Sequence, residues 1–426
     1  MARIGVVSIP APGHFYSVGA LARKLRSRGH EVVYFDIPDF RRRVEAAGLE
    51  YGPIGRDAYP LGSMRELDET LARLKGIEAF RFTIRRIVKN STMVLDDLPA
   101  AAREAGVEAL VVDQCQVAGG AVAEHLGVPH VSVASALPIN LDPSVAPFQF
   151  PWRHRRGAAA RIRNRAANWL IGRLITPVAS EVDRRRRSWG LPPLEWGPAA
   201  FSRLAQVSQL PAALELPGRR LPPNFHHTGP WTDAESRVAV DFPWHRLDGR
   251  PLAYVSMGTM LSHEYAHFRP IAEACVGTGL QLVITMGGAG DPSRLADLPG
   301  DPIVVGFAPQ VDLIRRSALT IFHGGLNTTL ESLACGVPTV VLPVTNDQPG
   351  VGVRVEHAGV GRSIPIARAT VPRIREAVRA VLEDPSYRER AVAMSSRIAE
   401  ADGLNRAADV ILSAFESAPM ARKESR

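Results

Sequence analysis

The sequence predicts an α/β protein with two doubly wound domains, in which each parallel sheet is covered by helices. Short apolar runs bounded by glycine or proline recur along the 426 residues, and helical patterns separate most of them. A stretch rich in proline, glycine and charge at 229–251 divides these runs into two groups. At about 150 residues per domain, the length suggests two or three domains.

The first group begins with a strand–helix–strand unit. Buried strands are predicted at four apolar runs: RIGVVSIP (3–10), EVVYFDIP (31–38), ALVVD (109–113) and PHVSVAS (129–135). Between the first two, a loop at 11–16 leads into a helix that ends at the C-cap Gly29. The apolar positions of this helix have the spacing of one face and are Val18, Leu21, Ala22 and Leu25.

The second group repeats the scheme. Five more strands are predicted at PLAYVSMG (251–258), LQLVITMGG (280–288), DPIVVGF (301–307), ALTIFHGG (318–325) and PTVVLPV (338–344). We expect an N-terminal domain over 1–230, a C-terminal domain over 231–405, and a C-terminal helix and tail over 406–426 that returns to the first domain. Ligands bind at the carboxyl ends of such strands, so two facing domains create a cleft.

Composition excludes several classes of protein. Hydrophobic residues make up 46% and charged residues 22%, which is ordinary for a packed globular protein and excludes disordered, collagen-like and coiled-coil chains. The three cysteines, Cys115, Cys275 and Cys335, lack metal-ligand spacing and fit a reducing compartment. The sequence has neither a signal-peptide pattern nor an apolar stretch of about 18 residues. We expect a cytoplasmic protein, with peripheral contact to the inner face of the membrane as a further possibility.

The basic excess is concentrated in one segment. The net charge is +8, and 153–187 contains only two acidic residues, Glu181 and Asp183. Nucleic-acid binding is disfavoured because no recognition-helix or RNA-binding motif accompanies the charge. A helix at 160–175 that carries Trp169 and Leu170 among arginines fits an anionic membrane surface. The alternatives are a solvated basic helix, or one that packs its apolar face inside its own domain.

Residues 307–348 contain the parts of a phosphate and sugar site. The strand TIFHGG ends at Gly324 and Gly325, where the backbone can approach a ligand closely, and the next helix begins with Asn327, Thr328 and Thr329. A helix N-terminus attracts phosphate, and His323 can donate to the same group. Further polar groups suit ribose and sugar hydroxyls: Glu331, Asp347 and Gln348. An ordinary strand–helix connection with a threonine cap fits the segment equally well.

The first half offers a candidate base and a partner for it. His14 lies just past the first strand, where a neutral imidazole can take a proton from a hydroxyl. Asp113 ends a strand at the same edge, and a carboxylate there can fix the imidazole tautomer. Taken alone, His14 also fits a surface or packing residue, and Asp113 also fits a helix N-cap.

A resemblance distinguishes between these alternatives. The APQ opening, the HGGLNTTLES core, the GVP turn and the terminal DQ of this segment resemble, in order and spacing, the donor box of the family 1 UDP-sugar glycosyltransferases. That family has the GT-B architecture of two facing Rossmann-like domains. The resemblance implies that His14 is the catalytic base and Asp113 its partner. This chain differs from the plant form of the donor box, which begins with Trp where this chain has Phe307.

The same resemblance implies roles at the donor site. Phe307, Ala308, Pro309 and Gln310 would hold uracil, and Glu331 the ribose. The residues implied for the diphosphate are Gly258, Thr259, His323, Gly324, Gly325, Asn327 and Thr328. Asp347 and Gln348 would hold the sugar, and a terminal Gln favours glucose. A dTDP-sugar remains an alternative donor. DxD-type metal motifs are absent, and we expect an inverting reaction that needs neither a metal nor a cofactor.

The acceptor is the part least fixed by sequence. The segments 111–143 and 201–230 resemble the zeaxanthin glucosyltransferases of bacterial carotenoid pathways, which implies a lipophilic hydroxylated acceptor. Candidate contacts are Phe15, Gln114 and Asn140. One alternative is a tailoring enzyme for a macrolide, aromatic polyketide or flavonoid. A sugar-nucleotide 2-epimerase is disfavoured by His14, and a non-catalytic nucleotide-sugar-binding protein at a membrane surface is the alternative of another class.

Overall fold

The computed structural model describes residues 1–74, 76–194, 196, 200–233, 240–258, 265–288 and 290–418. Within this part of the chain the strands form two parallel sheets, one of seven strands and one of six, with helices packed on them. The predicted α/β class with two doubly wound sheets is confirmed. No helix among these residues is both long and apolar enough to cross a bilayer.

The N-terminal sheet has the strand order β3-β2-β1-β4-β5-β6-β7. Its strands are β1 Arg3–Val7, β2 Glu31–Asp36, β3 Glu50–Pro53, β4 Ala109–Asp113, β5 His130–Ala134, β6 Gln206–Ser208 and β7 Phe225–His227. The helices of this half are α1 Pro12–Ser27, α2 Arg41–Ala46, α3 Ser63–Arg73, α4 Gly76–Glu104, α5 Gly119–Leu126, α6 Ala158–Leu174 and α7 Thr176–Ser188. Three short strands that the sequence did not predict, β3, β6 and β7, extend this sheet at its two ends.

The C-terminal sheet has the order β10-β9-β8-β11-β12-β13. Its strands are β8 Leu252–Ser256, β9 Gln281–Thr285, β10 Ile303–Val305, β11 Ser317–Phe322, β12 Thr339–Val341 and β13 Gly361–Ser363. The helices after β8 are α8 Phe268–Cys275, α9 Gln310–Arg315, α10 Leu326–Ala334, α11 Gln348–Ala358, α12 Val371–Glu383, α13 Pro385–Ala401 and α14 Gly403–Glu416. All five strands predicted for this half are present, and β13 is a further strand that the sequence did not predict.

Helix α1 begins earlier than the sequence pattern indicates. Pro12 is the first residue of α1. The fixed φ of proline suits a helix, and the N–H that proline lacks would have no hydrogen-bond partner in the first turn. The predicted loop at 11–16 is therefore wrong from Pro12 onward, and His14 lies in the first turn of a helix. This placement gives its side chain a fixed backbone at the carboxyl edge of the N-terminal sheet.

The two halves share a hydrophobic cluster. Leu137, Leu210 and Leu214 of the first half pack with apolar residues from α10 and α11, among them Leu326 and Val351. Each sheet also has a core of its own. The edges of the two sheets that carry the predicted ligand residues are therefore held against each other.

The last helix crosses back to the first half. Helix α14 packs on α1, and its Ala407, Ala408 and Ile411 belong to the core of the N-terminal sheet together with Trp231. It begins at Gly403, three residues before the predicted boundary at 406. Residues 234–239 of the predicted linker and 419–426 of the predicted tail lie outside the described residues.

Candidate functional site

His14 and Asp113 meet at the carboxyl edge of the N-terminal sheet. His14 follows β1, Asp113 ends β4, and these strands are neighbours in the sheet. Nδ1 of His14 lies 2.6 Å from Oδ2 of Asp113, whose side chain is fully buried. The backbone N–H of Cys115 donates to the other carboxylate oxygen, Oδ1, at 2.9 Å. The pair has the geometry of an imidazole oriented by a carboxylate.

A third polar group joins this pair. The hydroxyl of Ser135, one residue beyond β5, lies 2.7 Å from Nδ1 of His14 and 2.6 Å from Oδ2 of Asp113. Ser135 ends a strand predicted from the sequence, but no motif assigned it a role. Its position at the same sheet edge as His14 and Asp113 was the available signal.

Burial and pairing set the protonation of the two groups. Burial disfavours charge on both, but the attraction and hydrogen bond between them outweigh this, so the pKa of His14 is raised above its usual value. The same interactions, with hydrogen bonds from Ser135 and the Cys115 backbone, hold the pKa of Asp113 below its usual value against burial. Asp113 is therefore an anion that stabilises a proton on His14.

Cys115 completes a set of three possible metal ligands. Among the described residues, ligand atoms of His14, Asp113 and Cys115 lie within 4.8 Å of one another. Burial, followed by the charges of Asp113 and Asp347, raises the pKa of the Cys115 thiol well above its usual value. Since a metal binds the thiolate, a protonated thiol makes this set a poor site at neutral pH.

The start of α10 forms the opposite wall. Gly325 is the N-cap of this nine-residue helix and supplies no side-chain hydrogen bond to its first amides. Gly324 has a φ of 93°, and a Cβ there would lie 2.8 Å from Cγ1 of Val341. A Cβ on Gly325 would lie 2.7 Å from Nε2 of His323. Glycine is therefore required for the backbone to pass this closely.

His323 is enclosed by glycines on more than one side. A Cβ on Gly258 would lie 2.6 Å from Cε1 of the His323 ring. Burial lowers the pKa of His323 to about 4, so the imidazole is neutral at neutral pH. Thr259, which the sequence placed with Gly258 in this loop, lies outside the described residues.

Asn327 and Thr328, two predicted phosphate ligands, differ in their surroundings. The side-chain amide of Asn327 donates to the carbonyl oxygen of Gly13 at 2.8 Å, and its Oδ1 accepts from Gln209 at 2.8 Å. Asn327 therefore links α10 to the first half, a role that the sequence did not suggest. Thr328 is buried in the first turn of α10, where it remains a candidate phosphate contact.

The residues predicted to hold the nucleoside form a connected set. Nε2 of Gln310 donates to Glu331 at 2.5 Å, and Oε1 of Gln310 accepts from the hydroxyl of Tyr254 at 2.8 Å. Phe307 is 56% exposed, and its ring occupies the space beside Gly288. Ala308 and Pro309 complete this set: Ala308 packs on a small apolar cluster, and Pro309 is the N-cap of α9.

Asp347 and Gln348 lie at the N-terminus of α11. Oε1 of Gln348 accepts from the backbone N–H groups of Val344 and Thr345 at 2.8 and 3.0 Å, which fixes the orientation of its amide. Oδ2 of Asp347 accepts from the N–H of Leu137 in the first half at 3.1 Å. The charge of Asp347 also contributes to raising the pKa of His14. The predicted sugar contacts and the candidate base therefore share one cleft.

The three candidate acceptor contacts have structural partners. Phe15 is buried in the core of the N-terminal sheet, with its ring edge-on to Tyr34 at 5.2 Å. Gln114 donates to Asn140 at 3.1 Å, and Asn140 donates to Gln206 at 2.8 Å. These amides hold the loop after β5, whereas Phe15 is a core residue. Beside this loop a small pocket of about 20 Å³ is lined by residues that include Leu141, Phe148 and Asn168.

Comparison with known proteins agrees with this arrangement. Residues 245–403 match the family described as UDP-glucoronosyl and UDP-glucosyl transferase. A zeaxanthin glucosyltransferase of Pantoea ananas is 29% identical over 96% of this chain and 95% of its own length. The chain is a glycosyltransferase, and its residues 245–403 match this family. A 4'-demethylrebeccamycin synthase of Lentzea aerocolonigenes is 28% identical over 96% of this glycosyltransferase and 99% of the relative.

Solved structures share the fold of this glycosyltransferase. The glycotransferase of kitacinnamycin superposes with a TM-score of 0.77 at 24% identity, over 97% of this chain and 99% of the other. Two sheets with facing carboxyl edges are thus the GT-B architecture that the sequence resemblance implied. In this glycosyltransferase the cleft brings an imidazole–carboxylate pair opposite a helix N-terminus. Such an arrangement can remove a proton on one side and bind a diphosphate on the other.

Proposed function

We propose that this glycosyltransferase moves glucose from UDP-glucose to a hydroxyl group of a lipophilic small molecule, with inversion at the anomeric carbon. The observation that carries the proposal is the His14–Asp113 pair, held in the same cleft as Asp347 and the start of α10. In this assignment His14 accepts the proton of the acceptor hydroxyl at Nε2. Asp113 stabilises the imidazolium that results.

The leaving diphosphate would be stabilised from the second half. The free amides at the start of α10 supply positive partial charge, and His323 and Thr328 lie beside them. Glu331 would accept the ribose hydroxyls, and Asp347 and Gln348 the sugar hydroxyls. Because base and leaving group belong to opposite walls, the hydroxyl attacks the face of the anomeric carbon opposite UDP. Inversion is the consequence.

We propose that no divalent metal takes part. The helix amides can offset charge that a metal would otherwise offset, and the protonated thiol of Cys115 weakens the metal-ligand set around His14. Activity measured after treatment with EDTA should equal untreated activity. Loss of activity that Mg²⁺ or Mn²⁺ restores would contradict this part of the proposal.

For the acceptor we propose a hydroxylated carotenoid such as zeaxanthin. The support is that two relatives, each 29% identical to this chain, are zeaxanthin glucosyltransferases. The alternative is a macrolide or an aromatic natural product, since relatives also include a 6-deoxyallosyltransferase of O-mycaminosyltylonolide and the rebeccamycin-type enzyme. UDP rather than dTDP is preferred because the family that matches is named for UDP-sugars.

The test is an acceptor panel with two donors. Purified protein is incubated with UDP-glucose or dTDP-glucose and with zeaxanthin in micelles, a macrolide aglycone or a flavonoid, and UDP release and product mass are measured. We expect mono- or diglucosylated zeaxanthin, with a β-linkage by NMR from the α-linked donor. Retained configuration would contradict inversion. Tight UDP-glucose binding without turnover on any acceptor would favour the non-catalytic alternative.

We also propose that α6 contacts an anionic membrane. No acidic residue occurs between Asp142 and Glu181. On α6, Ile162 and Trp169 are 69% and 67% exposed on one face, which favours a surface role for these two side chains over packing inside the domain. Exposed arginines flank this face: Arg161, Arg165 and Arg173. Apolar side chains among arginines match the acyl and anionic headgroup layers of a bilayer.

The position of α6 connects this surface with the acceptor. Asn168 of α6 lines the same small pocket as Leu141, which is itself 37% exposed. A carotenoid dissolved in a bilayer would therefore meet the protein beside the loop that follows β5. Replacement of Arg161, Arg165 and Arg173 by Gln should reduce co-sedimentation with anionic vesicles. The control replaces three exposed arginines of the second half, Arg373, Arg379 and Arg397, for the same change of charge.

The salt dependence completes this test. Binding to anionic vesicles should weaken as ionic strength rises, because exposed charges are screened beyond about 8–10 Å at 0.1–0.15 M salt. Equal binding to neutral and anionic vesicles, or equal loss in the control variant, would contradict the proposal. Binding of double-stranded DNA that the Arg161, Arg165 and Arg173 replacements abolish, without vesicle binding, would assign the surface to nucleic acid instead.

A further inference from the structure

Ser135 closes a triangle with the candidate base and its partner. Its Oγ lies 2.7 Å from Nδ1 of His14 and 2.6 Å from Oδ2 of Asp113, and those two atoms are 2.6 Å apart. The three residues come from the carboxyl ends of β1, β4 and β5, which are adjacent in the sheet. Ser135 is 5% exposed, so water does not compete freely for its hydroxyl.

We propose that Ser135 is a positioning residue that holds His14 in the tautomer able to accept a proton and that tunes the basicity of its free nitrogen. The inference rests on the proposed function, in which His14 is the base. Nothing in the sequence motifs of the donor box or the His14 loop points to this residue. The proposed role depends on contacts among the side chains of Ser135, His14 and Asp113, which come together only in the folded sheet.

The count of protons decides the tautomer. Asp113 is an anion and can only accept, whereas Ser135 has one proton to donate. The carboxylate therefore accepts both from Oγ of Ser135 and from Nδ1–H of His14, and a lone pair of Oγ faces the same N–H. In the other tautomer the Nδ1 lone pair would point at Oδ2 across 2.6 Å. The arrangement with Nδ1 protonated leaves Nε2 free as the base.

The hydroxyl of Ser135 also weakens the effect of Asp113 on His14. By donating to Oδ2, it stabilises the carboxylate and lowers the pKa of Asp113. Without this bond, more of the carboxylate's negative charge acts on the imidazole, so the imidazolium becomes more stable. Loss of Ser135 also removes the lone pair that faces Nδ1–H, but the anionic Oδ2 is the stronger acceptor of that proton, so the net effect should be a raised pKa of His14. Loss of the Asp113 charge should lower it.

Three other ionisable groups lie near His14, and the Ser135 substitutions leave all three in the protein. Asp347 at the start of α11 acts on His14 through its charge, and Cys115 has a ligand atom within 4.8 Å of those of His14 and Asp113. Burial raises the pKa of Tyr34 on β2 well above its usual value, and the charge of Asp113 adds to this shift. Tyr34 therefore keeps its proton. The hydrogen bonds of Ser135 Oγ are with His14 and Asp113, so a Ser135 substitution breaks no hydrogen bond of these three groups.

A contact from the neighbouring strand fixes the backbone of Ser135. Nε2 of Gln209, just past β6, donates to the carbonyl oxygen of Ser135 and to Oδ1 of Asn327, the latter at 2.8 Å. Position 135 is therefore held independently of its own side chain. Removing the hydroxyl should not displace the loop, which makes alanine a usable test.

The experiment measures the pH dependence of turnover in wild type, Ser135→Ala and Ser135→Thr. We expect Ser135→Ala to lower kcat about 2- to 12-fold, the worth of one hydrogen bond, and to shift the acid limb of the kcat profile to higher pH. Ser135→Thr keeps the hydroxyl and should restore the wild-type limb. Asp113→Asn should shift the limb the opposite way.

Ser208→Ala is the matched control. Ser208 ends β6 at the same sheet edge and is fully buried, but its hydroxyl contacts the backbone of Leu210 rather than His14. A Ser135→Ala limb that coincides with wild type, with a loss of kcat like that of Ser208→Ala, would overturn the inference. A raised donor KM with an unmoved limb would make Ser135 a substrate contact. Full activity of His14→Ala would instead refute the proposed base itself.

Discussion

The side-chain amide of Asn327 donates a 2.8 Å hydrogen bond to the carbonyl oxygen of Gly13, the residue just before His14. Asn327 lies in the first turn of α10, where the diphosphate is proposed to bind, and Gly13 lies in the first turn of α1. Oδ1 of Asn327 accepts a hydrogen bond from Gln209, which also donates to the backbone carbonyl oxygen of Ser135. The proposed phosphate helix and the proposed base are thus joined by two short hydrogen-bonded routes.

Substitutions of Gln209 and Asn327, which form these routes, should have different effects on turnover and on UDP binding. Gln209→Leu breaks the link between Asn327 of α10 and Ser135 but keeps every side chain proposed to contact the nucleotide, so kcat should fall about 2- to 12-fold while the Kd for UDP stays constant. Asn327→Ala should lower kcat and also weaken UDP binding, because Asn327 lies beside the proposed diphosphate. Steady-state kinetics and calorimetry with UDP measure the two effects. A Gln209→Leu protein that loses UDP affinity as strongly as Asn327→Ala would contradict the assignment.

The catalytic pair predicts a non-additive loss. His14→Ala should lower kcat by about 10²–10⁴, the usual contribution of a general base, because an alcohol cannot ionise unaided near neutral pH. Asp113→Asn should also lower kcat, since it removes the charge that holds the imidazolium. Because the two act as a unit, the double variant should be no slower than His14→Ala. UDP affinity should remain constant in all three variants.

An acidic acceptor gives a check on this interpretation. A phenol or thiol loses its proton more easily than an aliphatic alcohol, so its turnover should depend less on His14. Full activity of His14→Ala with an alcohol acceptor would exclude His14 as the base. Multiplying losses in the double variant would mean that Asp113 acts elsewhere, for instance through the backbone of Cys115 that it accepts from.

How much of the site the sequence predicts depends on how local each feature is. The strand ends that carry Asp113, His323 and Gly324 follow from apolar runs, because a buried strand has a continuous apolar pattern. The start of α1 was placed too late because Pro12 and Gly13 resemble a loop. With the helix extended to Pro12, the spacing of Phe15, Val18 and Ala22 would have predicted that Phe15 is buried in the core.

Contacts between distant segments are the part that the sequence could not give. Ser135 and Gln209 are single polar residues after short strands, and no spacing relates them to His14 or Asn327. The three-residue strands β6 and β7 are too short to show a period, so the position of Gln209 beside Ser135 was not available. The bond between Asn327 and Gly13 depends on how the two sheets face each other, which no motif encodes.

The donor site predicts a measurable loss of UDP binding. Glu331→Ala removes the proposed acceptor of the ribose hydroxyls and also the partner of Gln310, which is 2.5 Å away. A lost charge-assisted hydrogen bond costs about 1.5–3 kcal/mol, so the Kd for UDP should rise about 10- to 100-fold. Calorimetry with UDP measures the change, and Gln348→Ala is the comparison, since it should affect UDP-glucose more than UDP. Unchanged UDP affinity in Glu331→Ala would refute the proposed ribose contact.

A buried ion cluster between the halves predicts the acid stability of the protein. Glu215 of the first half lies 2.5 Å from Nη2 of Arg354 on α11 and 2.7 Å from Nη1 of Arg219, and all three side chains are less than a tenth exposed. Burial opposes the charge of Glu215, but the two guanidinium groups and hydrogen bonds outweigh it and lower its pKa from 4.5 to about 2. Glu215→Gln leaves two buried cations without their counter-ion. It should lower the free energy of unfolding at pH 7 by about 3–5 kcal/mol.

The pH dependence of this loss follows from the lowered pKa. A group whose pKa is lower in the folded state stabilises the protein above its unfolded pKa, here 4.5, and loses that contribution as pH falls toward about 2. The gap between wild type and Glu215→Gln in urea unfolding should therefore be full at pH 7 and shrink steadily between pH 4.5 and 2. Glu45→Gln is the matched control, because Glu45 pairs with Arg41 on the exposed surface of α2, where a pair contributes only about 0–1 kcal/mol. A gap that stays constant down to the lowest pH at which wild type is folded would mean that Glu215 stabilises by packing, and that its charge does not hold the two halves together.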